Sequence, residues 1–253
     1  MIHILLAAYN EELALGDVLN GIARALADGA FKVWVVDDGS TDGTVAVAER
    51  WRTQIPLILI RHETNQGLGA ALHTGFSELI PALFPNDVAV TLDADNTHPP
   101  AQIPALVQPI EDGQADLVVA SRFVRGARTV GVPFYRRFLS DGAALLFRFL
   151  LPIGGLRDYT CGFRAYRGAL LKSAQEKWGR LATENGFAAS AEILVKVGAL
   201  RPKVREVPLI LRYDRKPSPS KMRVGQTILR NLAVIRGLRR LLYTPTPSRK
   251  NES

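Results

Sequence analysis

The chain has 253 residues, of which 47% are hydrophobic, so it is long enough to bury the core of one large α/β domain. No run of eighteen apolar residues occurs, and a strand-like segment begins at Ile2 without a basic leader or cleavage site. We therefore expect neither a membrane span nor a secretory signal, and predict a cytoplasmic protein. Its single cysteine, Cys161, excludes an intrachain disulfide, and no Cys/His cluster has zinc spacing.

The formal charge of +8 conceals a division between the two halves of the chain. Residues 1–120 contain 5 Lys and Arg against 16 Asp and Glu, whereas residues 121–253 contain 27 against 8. An acidic half suits a divalent cation, and a basic half suits phosphate groups on a nucleotide, a polyprenyl phosphate, an anionic membrane or a nucleic acid. Because no nucleic-acid-reading motif is present and only 8% of the residues are aromatic, we expect no nucleic acid partner.

In chain order, short apolar runs alternate with helix-like segments, as in a doubly wound α/β sheet. The predicted strands cover residues 2–7, 33–36, 57–60, 88–92 and 116–121, and the predicted helices cover 13–27, 44–51, 70–80 and 98–110. The strand-like runs are β-branched and nearly uninterrupted, which is typical of strands buried on both faces of a parallel sheet. Ser40 or Thr41 is expected to cap the helix that begins at Thr44.

After Ser121 the pattern changes to basic loops, an apolar helix and a tail. The segment 143–151 is apolar nearly all round but too short to span a bilayer, so it is either a core helix or a helix in the membrane interface. Residues 223–243 are amphipathic and basic, which fits an interfacial helix or a solvated helix face equally well. Residues 244–253 are expected to form a disordered tail.

Two acidic turns each follow a strand-like run directly. Asp37-Asp38-Gly39 comes after the second predicted strand, and Asp93-Ala94-Asp95 comes after the fourth. The carboxyl ends of parallel strands meet at one edge of the sheet, and open α/β sheets bind their ligands at that edge. The two turns therefore predict one site for a metal ion and a nucleotide.

Eight short motifs follow one another along residues 2–222. They are Tyr9-Asn10-Glu11, Val36-Asp37-Asp38-Gly39-Ser40, Gly67-Leu68-Gly69-Ala70, Asp93-Ala94-Asp95 with His98-Pro99, Ser121-Arg122, Asp158-Tyr159-Thr160-Cys161-Gly162-Phe163-Arg164, Glu206-Val207-Pro208, and Asp214-Arg215 with Ser220-Lys221. In this order the chain resembles the inverting glycosyltransferases of family 2, most closely the dolichyl-phosphate mannose synthase group. The resemblance implies a GT-A domain over residues 1–222, an α/β fold with a Rossmann-like, mostly parallel sheet flanked by helices, followed by C-terminal amphipathic helices.

The resemblance also implies a donor site that uses Mg²⁺ or Mn²⁺. Asp93, Asp95 and Thr97 would hold the cation, which would stabilise the departing nucleoside diphosphate. Asp38 would accept a hydrogen bond from the N–H edge of guanine or uracil, although a turn residue that caps the next helix is the alternative for this position. The donor nucleotide would be bound by Ala7, Tyr9, Glu11, Val36, Asp38, Asp93 and Ala94.

On the basic side, the resemblance implies residues that contact phosphate groups. Arg122, Arg215 and Lys221, together with Asp95, are the expected catalytic residues, since Arg and Lys neutralise phosphate oxygens. Arg136 and Ser140 resemble the pair that binds the acceptor phosphate, with a solvated helix face as the alternative for Arg136. Residues 215–221 resemble a flexible lid that excludes water from the bound donor.

The expected reaction is transfer of a mannose- or glucose-type hexosyl group from a GDP- or UDP-hexose to a polyprenyl or dolichyl phosphate, by in-line displacement with inversion. Peripheral contact with the cytoplasmic face of a membrane is a further expectation. Two alternatives stay open. One is a family 2 transferase that acts on a hydroxyl of a soluble small molecule or glycan and uses Asp158 or Glu192 as general base. The other is a nucleotide-sugar-binding protein without catalysis.

Overall fold

The computed structural model describes residues 1–132, 142, 144, 148–184, 186 and 188–217. The strands in these residues are β1 (Ile2–Ala8), β2 (Phe31–Asp37), β3 (Leu57–Arg61), β4 (Val88–Thr91), β5 (Leu117–Ser121), β6 (Arg128–Val130), β7 (Arg164–Arg167), β8 (Val204–Pro208) and β9 (Ile210–Arg212). The α-helices are α1 (Glu12–Ala25), α2 (Thr44–Trp51), α3 (Leu68–Ala82), α4 (Ile103–Glu111), α5 (Gly168–Trp178) and α6 (Ala188–Gly198), and short 3₁₀ helices cover Pro100–Gln102 and Tyr213–Arg215.

A seven-stranded sheet with the order β3-β2-β1-β4-β7-β5-β8 forms the centre of the domain. All neighbouring strands are parallel except β7, which runs antiparallel to both β4 and β5. Apolar runs fill the inner strands because both faces of the sheet are covered, and Ile4, Leu5 and Leu6 of β1 are each at most 1% exposed. The helices contact one another in two groups, α1 with α2 and α4, and α3 with α5 and α6. This arrangement confirms the predicted mostly parallel α/β sheet flanked by helices.

The strand order reverses at β1. From β1 the chain passes to β2 and β3 on one side, and it then returns through α3 to place β4 on the other side of β1. Parallel pairing sets Ala7 opposite Val36 and Leu5 opposite Thr91, so the turns after β1, β2 and β4 lie at the same edge. Such a reversal leaves a crevice at the carboxyl ends of the strands, where ligands bind in open α/β sheets.

The predicted elements up to Ser121 are all present with bounds that move by a few residues, but the predicted cap of α2 is wrong. Gly43 occupies the N-cap position, and Asp42 accepts a hydrogen bond from the first amide of the helix at 3.0 Å. Ser40 and Thr41 bond to Asn10 instead, because the Ser40 hydroxyl accepts from the Asn10 amide and the Thr41 amide donates to Asn10 Oδ1. These bonds join the turn after β2 to the turn after β1.

The expectation of loops and one apolar helix after Ser121 is incomplete, because β6, β7, β8, β9, α5 and α6 also lie there. Residues 148–150 of the predicted apolar helix are helical. Strand β7 has arginines at both ends, so it lacks the apolar run that marks a buried strand. Arg164 is nevertheless 1% exposed, and its guanidinium donates to the backbone oxygens of Ser190 and Tyr159 at 2.6 and 3.1 Å. Both terminal nitrogens of this side chain thus find backbone acceptors, whereas its buried Nε has no hydrogen-bond partner among the described residues.

The apolar segment 143–151 is described only in part. Ala144 and Leu151 are buried, whereas Phe149 is 83% exposed, so the segment contributes both to the core and to the surface. None of the helices in the described residues is both long and apolar enough to cross a bilayer. The predicted interfacial helix at 223–243 and the predicted tail at 244–253 lie outside the described residues.

In the acidic turn after β2, the backbone at Gly39 leaves no room for a side chain. Its φ is +70°, and a Cβ there would lie 2.4 Å from the backbone carbon of Thr64. We expect Gly39→Ala to lower the free energy of unfolding by about 1–2 kcal/mol for the left-handed backbone, plus about 1–3 kcal/mol for the steric contact. Gly113 has the same φ of +70° with nothing within 4 Å, so Gly113→Ala is the matched control. Equal urea-unfolding midpoints for the two variants would contradict the prediction.

Candidate active site

A cavity of about 410 Å³ lies where the strand order reverses, a size typical of small-ligand sites. It is lined by the turns after β1, β2 and β4, by the start of α3 and by Lys216. The sequence prediction for the donor site includes the following lining residues: Ala7, Tyr9, Glu11, Asp38, Asp93, Ala94 and Asp95. The fold thus gathers into one cavity residues that are separated by more than eighty positions in the chain.

Four other predicted site residues do not line this cavity, although Thr97 is hydrogen-bonded to Asp95 beside it. Val36 is fully buried in β2, Thr97 is buried, Arg122 is half-buried and Arg215 is exposed, and none of these four lines the cavity. The roles given to them by the sequence stay predictions. Lys221, Arg136 and Ser140 lie outside the described residues.

Asp38 is a buried carboxylate at the cavity wall, 3% exposed. Its Oδ1 accepts hydrogen bonds from His62 Nδ1 at 2.8 Å and from the Gln66 amide at 3.0 Å, and its Oδ2 accepts from the Gly67 amide at 2.7 Å. The side chain therefore fastens the loop before α3 to the turn after β2. It does not cap α2, so the alternative reading of Asp38 as a helix cap is wrong.

The carboxylate of Asp95 forms an ion pair with Lys216 of the same chain. Its Oδ2 lies 2.5 Å from Lys216 Nζ, and its Oδ1 accepts hydrogen bonds from the hydroxyl and the amide of Thr97 at 2.7 and 3.1 Å. Burial alone would raise the pKa of Asp95, but the Lys216 ammonium and these hydrogen bonds outweigh it and hold the pKa below its usual range. Asp95 is thus a carboxylate whose orientation is set by Thr97 and whose charge is balanced by Lys216.

The acidic turn after β4 fits a hard divalent cation that shares its coordination with a bound phosphate. No group of three His, Cys, Asp or Glu side chains converges on a metal position within the described part of the chain. Mg²⁺ is commonly held by one or two carboxylates together with phosphate oxygens and water, so Asp93 and Asp95 are a sufficient protein donor set. The ammonium of Lys216 against Asp95 shows that a cation already lies favourably at this carboxylate.

Arg122 is held in one orientation by Asp158. Arg122 Nε and Nη2 each donate to an Asp158 oxygen at 2.8 Å, and Thr160 Oγ1 contacts the same guanidinium. Asp158 is fully buried, and burial would raise its pKa, but the Arg122 charge and hydrogen bonds outweigh burial and hold the pKa below its usual range. The arrangement is a two-point ion pair that fixes the arginine side chain at the end of β5.

Neither carboxylate proposed as a general base lines the cavity. Asp158 is saturated by Arg122 and by the amides of the 158–161 turn. Glu192 is 2% exposed, lies 2.6 Å from Lys196 Nζ and accepts hydrogen bonds from the amides of Thr183 and Glu184. In this geometry both residues organise the protein, and their roles as bases stay untested predictions.

Two residues of the site were missed by sequence reasoning. Lys216 was treated as part of the lid segment, yet it, and not its exposed neighbour Arg215, contacts Asp95. His62 belongs to none of the eight sequence motifs, although it directly follows β3, just as the two acidic turns follow β2 and β4. The position of His62 at a strand end was therefore an available signal, whereas nothing local distinguishes Lys216 from Arg215.

The model of glycosyl transferase family 2 matches residues 3–173 of the chain. A dolichol-phosphate mannosyltransferase of Pyrococcus furiosus is 33% identical over 232 residues, which cover 91% of this chain and 61% of the relative. An undecaprenyl-phosphate mannosyltransferase of Micrococcus luteus is 32% identical over 222 residues, covering 87% of each chain. A dolichyl-phosphate hexose transferase of Haloferax volcanii is 34% identical over 227 residues, covering 89% and 85%. The chain thus spans less than two thirds of the length of the Pyrococcus relative.

The fold is also similar to solved structures. The glucosyl-3-phosphoglycerate synthase of Mycobacterium tuberculosis, crystallised with Mn²⁺, uridine diphosphate and glucosyl-3-phosphoglycerate, superposes with a TM-score of 0.69 at 22% identity. The likeness covers 98% of this chain and 81% of that chain, and it bears out the predicted GT-A architecture. With a family match over 171 consecutive residues and relatives above 30% identity along most of its length, the chain belongs to glycosyl transferase family 2.

Proposed function

We propose that the protein transfers a hexosyl group from a nucleotide-diphosphate sugar to a polyprenyl or dolichyl phosphate, with inversion at the anomeric carbon. The main support for the proposal is that Asp38, Asp93 and Asp95 line one cavity at the point where the strand order reverses. The names of the relatives from Pyrococcus, Micrococcus and Haloferax, all polyprenyl- or dolichyl-phosphate glycosyltransferases, support the acceptor class.

On the donor side, each residue has a task set by its chemistry. Asp38 accepts from the base, while Tyr9 and Glu11 line the nucleotide end of the cavity. Asp93 and Asp95 would hold Mg²⁺ or Mn²⁺ against the diphosphate, and the ion supplies charge neutralisation to the leaving group. Lys216 would lose its contact with Asp95 if a metal ion bound there, and its ammonium would then be available to a donor phosphate oxygen.

On the acceptor side, a phosphate monoester is already anionic near neutral pH. Transfer to it needs alignment and charge neutralisation more than proton abstraction. This agrees with the burial and pairing of Asp158 and Glu192. We assign charge neutralisation to Arg122 and, among residues outside the described part of the chain, to Arg136 and Lys221. The Ser140 hydroxyl would donate a hydrogen bond to the acceptor phosphate. We also assign Arg215 a contact with a phosphate group of the bound donor or acceptor.

We also propose that the protein associates peripherally with the cytoplasmic face of a membrane, where its lipid acceptor lies. Phe149 is 83% exposed, and its neighbour Arg148 is exposed beside it. An aromatic side chain next to a cation suits an anionic lipid surface. Flotation with vesicles that contain anionic lipid measures this association, and recovery of all the protein in the soluble fraction would contradict it.

The function is tested with the purified chain, Mn²⁺ or Mg²⁺, a polyprenyl phosphate and a panel of GDP- and UDP-hexoses labelled in the sugar. The expected result is labelled lipid in the organic phase with one of the donors, and none when the cation is chelated. Transfer of label only to a soluble hydroxyl acceptor would replace the proposal by the alternative transferase. Donor binding without any turnover, including slow hydrolysis, would reduce the protein to a nucleotide-sugar-binding protein.

Lys216 is expected to compete with the metal ion for Asp95. Because an ammonium lies 2.5 Å from Oδ2, a divalent cation must displace it before it can bind. We expect Lys216→Met to tighten binding of Mn²⁺ to the protein without nucleotide about tenfold, which corresponds to about 1.4 kcal/mol. Titration calorimetry with MnCl₂ measures it. Lys203→Met removes the same charge from an exposed residue away from the cavity, and equal effects of the two variants would refute the competition.

A further inference from the structure

His62 joins Asp38 to helix α3. His62 Nδ1 lies 2.8 Å from Asp38 Oδ1, and His62 Nε2 lies 3.0 Å from Thr74 Oγ1 in α3. The two side chains of the first contact are buried, 8% exposed for His62 and 4% for Asp38. The His62 amide also donates to the Asp37 carbonyl at 2.9 Å, which anchors the histidine backbone beside the acidic turn.

The partners determine the tautomer of the ring. A carboxylate has no proton to donate, so the hydrogen of the Asp38 contact must be on His62 Nδ1. In a neutral ring Nε2 is then an acceptor, and the Thr74 hydroxyl is the donor to it. The ring is therefore held at both nitrogens, and its plane is set by a residue of α3 rather than by the loop that carries it.

The described hydrogen bonds of Asp38 use three of the acceptor sites of its carboxylate. A carboxylate offers about four lone-pair sites, two on each oxygen. His62 and the Gln66 amide fill those of Oδ1, and the Gly67 amide fills one of Oδ2. One site on Oδ2 remains among the described contacts, and Asp38 lines the cavity. Oδ1 of Asp38 is therefore fully bonded within the protein, whereas Oδ2 can accept one further hydrogen bond from a ligand in the cavity.

We propose that His62, held by Thr74, is a positioning residue that orients Asp38 so that Oδ2 receives one N–H of the donor's base. The inference rests on the proposed function, because it deepens the account of the same donor site. We expect its effect to be confined to the base, since neither His62 nor Thr74 lines the cavity and the contact of His62 within the site is with Asp38. Because the base is bound equally before and during transfer, loss of His62 raises KM for the donor and leaves kcat nearly unchanged.

The test compares ligands with and without a base. We expect His62→Leu to weaken Mn²⁺-dependent binding of the preferred nucleotide, chosen from GDP and UDP, by about tenfold, as expected for one hydrogen bond to a charged group. Binding of inorganic pyrophosphate with Mn²⁺ should stay within about twofold, because pyrophosphate has no base for Asp38 to recognise. His62→Asn places an amide N–H near the position of Nδ1 and should restore most of the nucleotide affinity.

Thr74→Val keeps the shape of the side chain and removes the hydroxyl, so it tests the same idea with His62 in place. It should weaken nucleotide binding less than His62→Leu does, and it should have no further effect in a His62→Leu background, because Thr74 acts through the ring. Equal weakening of nucleotide and pyrophosphate, or additive effects of the two changes, would overturn the inference. Failure of the proposed function would appear in the wild-type protein itself, as the absence of labelled lipid in the transfer assay, and it would leave the comparison of nucleotide and pyrophosphate binding between the variants unaffected.

Discussion

Asp95→Ala is expected to abolish the metal-dependent part of donor binding. At a ligand concentration of about 100 Kd, binding stabilises a protein by about 2.7 kcal/mol, which raises the Tm of a 250-residue domain by about 5–10 °C. We expect this shift for the wild-type protein with Mn²⁺ and its donor, and a shift near zero for the variant. The reason is that Asp95 is an oriented carboxylate in the cavity, where we propose that the diphosphate and its cation bind, and a lone Asp93 would leave the cation with a single carboxylate from the turn.

Lys216 complicates the measurement in a useful way. Without Asp95 its ammonium loses its partner and can contact a donor phosphate directly, so some metal-independent binding by Asp95→Ala is compatible with the proposal. The decisive quantity is the difference in Tm shift with and without Mn²⁺. Asp112→Ala removes an exposed carboxylate outside the cavity and serves as the control for net charge. A full metal-dependent shift in Asp95→Ala would show that the acidic turn does not hold the cation.

Arg122→Met is expected to cost both activity and stability. Loss of a group that stabilises developing or bound phosphate charge commonly lowers kcat by about 10²–10³. The same change leaves Asp158 fully buried without its cation, and breaking a buried ion pair in this way costs about 3–5 kcal/mol. The double variant Arg122→Met with Asp158→Asn should recover most of the stability, measured by urea unfolding, and none of the transfer activity. Recovery of activity would assign Arg122 a purely structural role.

The pH dependence of the single variant gives an independent check. In the wild-type protein the pKa of Asp158 is held below its usual range, so its contribution to stability is present above pH 4 and is lost as the pH falls through the folded-state pKa. In Arg122→Met the guanidinium is lost, while burial, the backbone amides and the Thr160 hydroxyl remain, and we expect burial to raise the pKa of Asp158 above its unfolded value. The contribution then reverses sign, and this variant should gain stability relative to the wild-type protein as the pH is lowered from 8 to 5.

The convergence of the acidic residues in one cavity could be predicted from the sequence because they follow buried strands directly. Asp38, Asp93 and Asp95 each come within a few residues of an apolar run, and parallel pairing then brings the strand ends together. Short-range patterns are enough to place β1, β2 and β4, and the parallel pairing of these strands brings the carboxylates together.

The remainder depends on contacts between distant segments. Lys216 reaches Asp95 across 121 positions, and Asp158 fixes Arg122 across 36, so no local pattern distinguishes them from neighbouring charged residues. Strand β7 is not predicted from the sequence because it has a buried arginine where a buried strand is expected to be apolar. Only the fold brings the backbone oxygens of Ser190 and Tyr159 to the terminal nitrogens of Arg164. The cap of α2 was misassigned because Ser40 and Thr41 are used by Asn10 in the turn after β1.

The ion pair between Lys216 and Asp95 has a consequence for how the protein matures. Acidic groups crowded at one end of a sheet would repel one another in a newly folded chain, and many metalloproteins need their ion to overcome this. Here the chain supplies its own countercharge, so the native state can form before any ion or substrate arrives. On the proposed function, the metal ion would then bind together with each incoming donor and would not be required for folding.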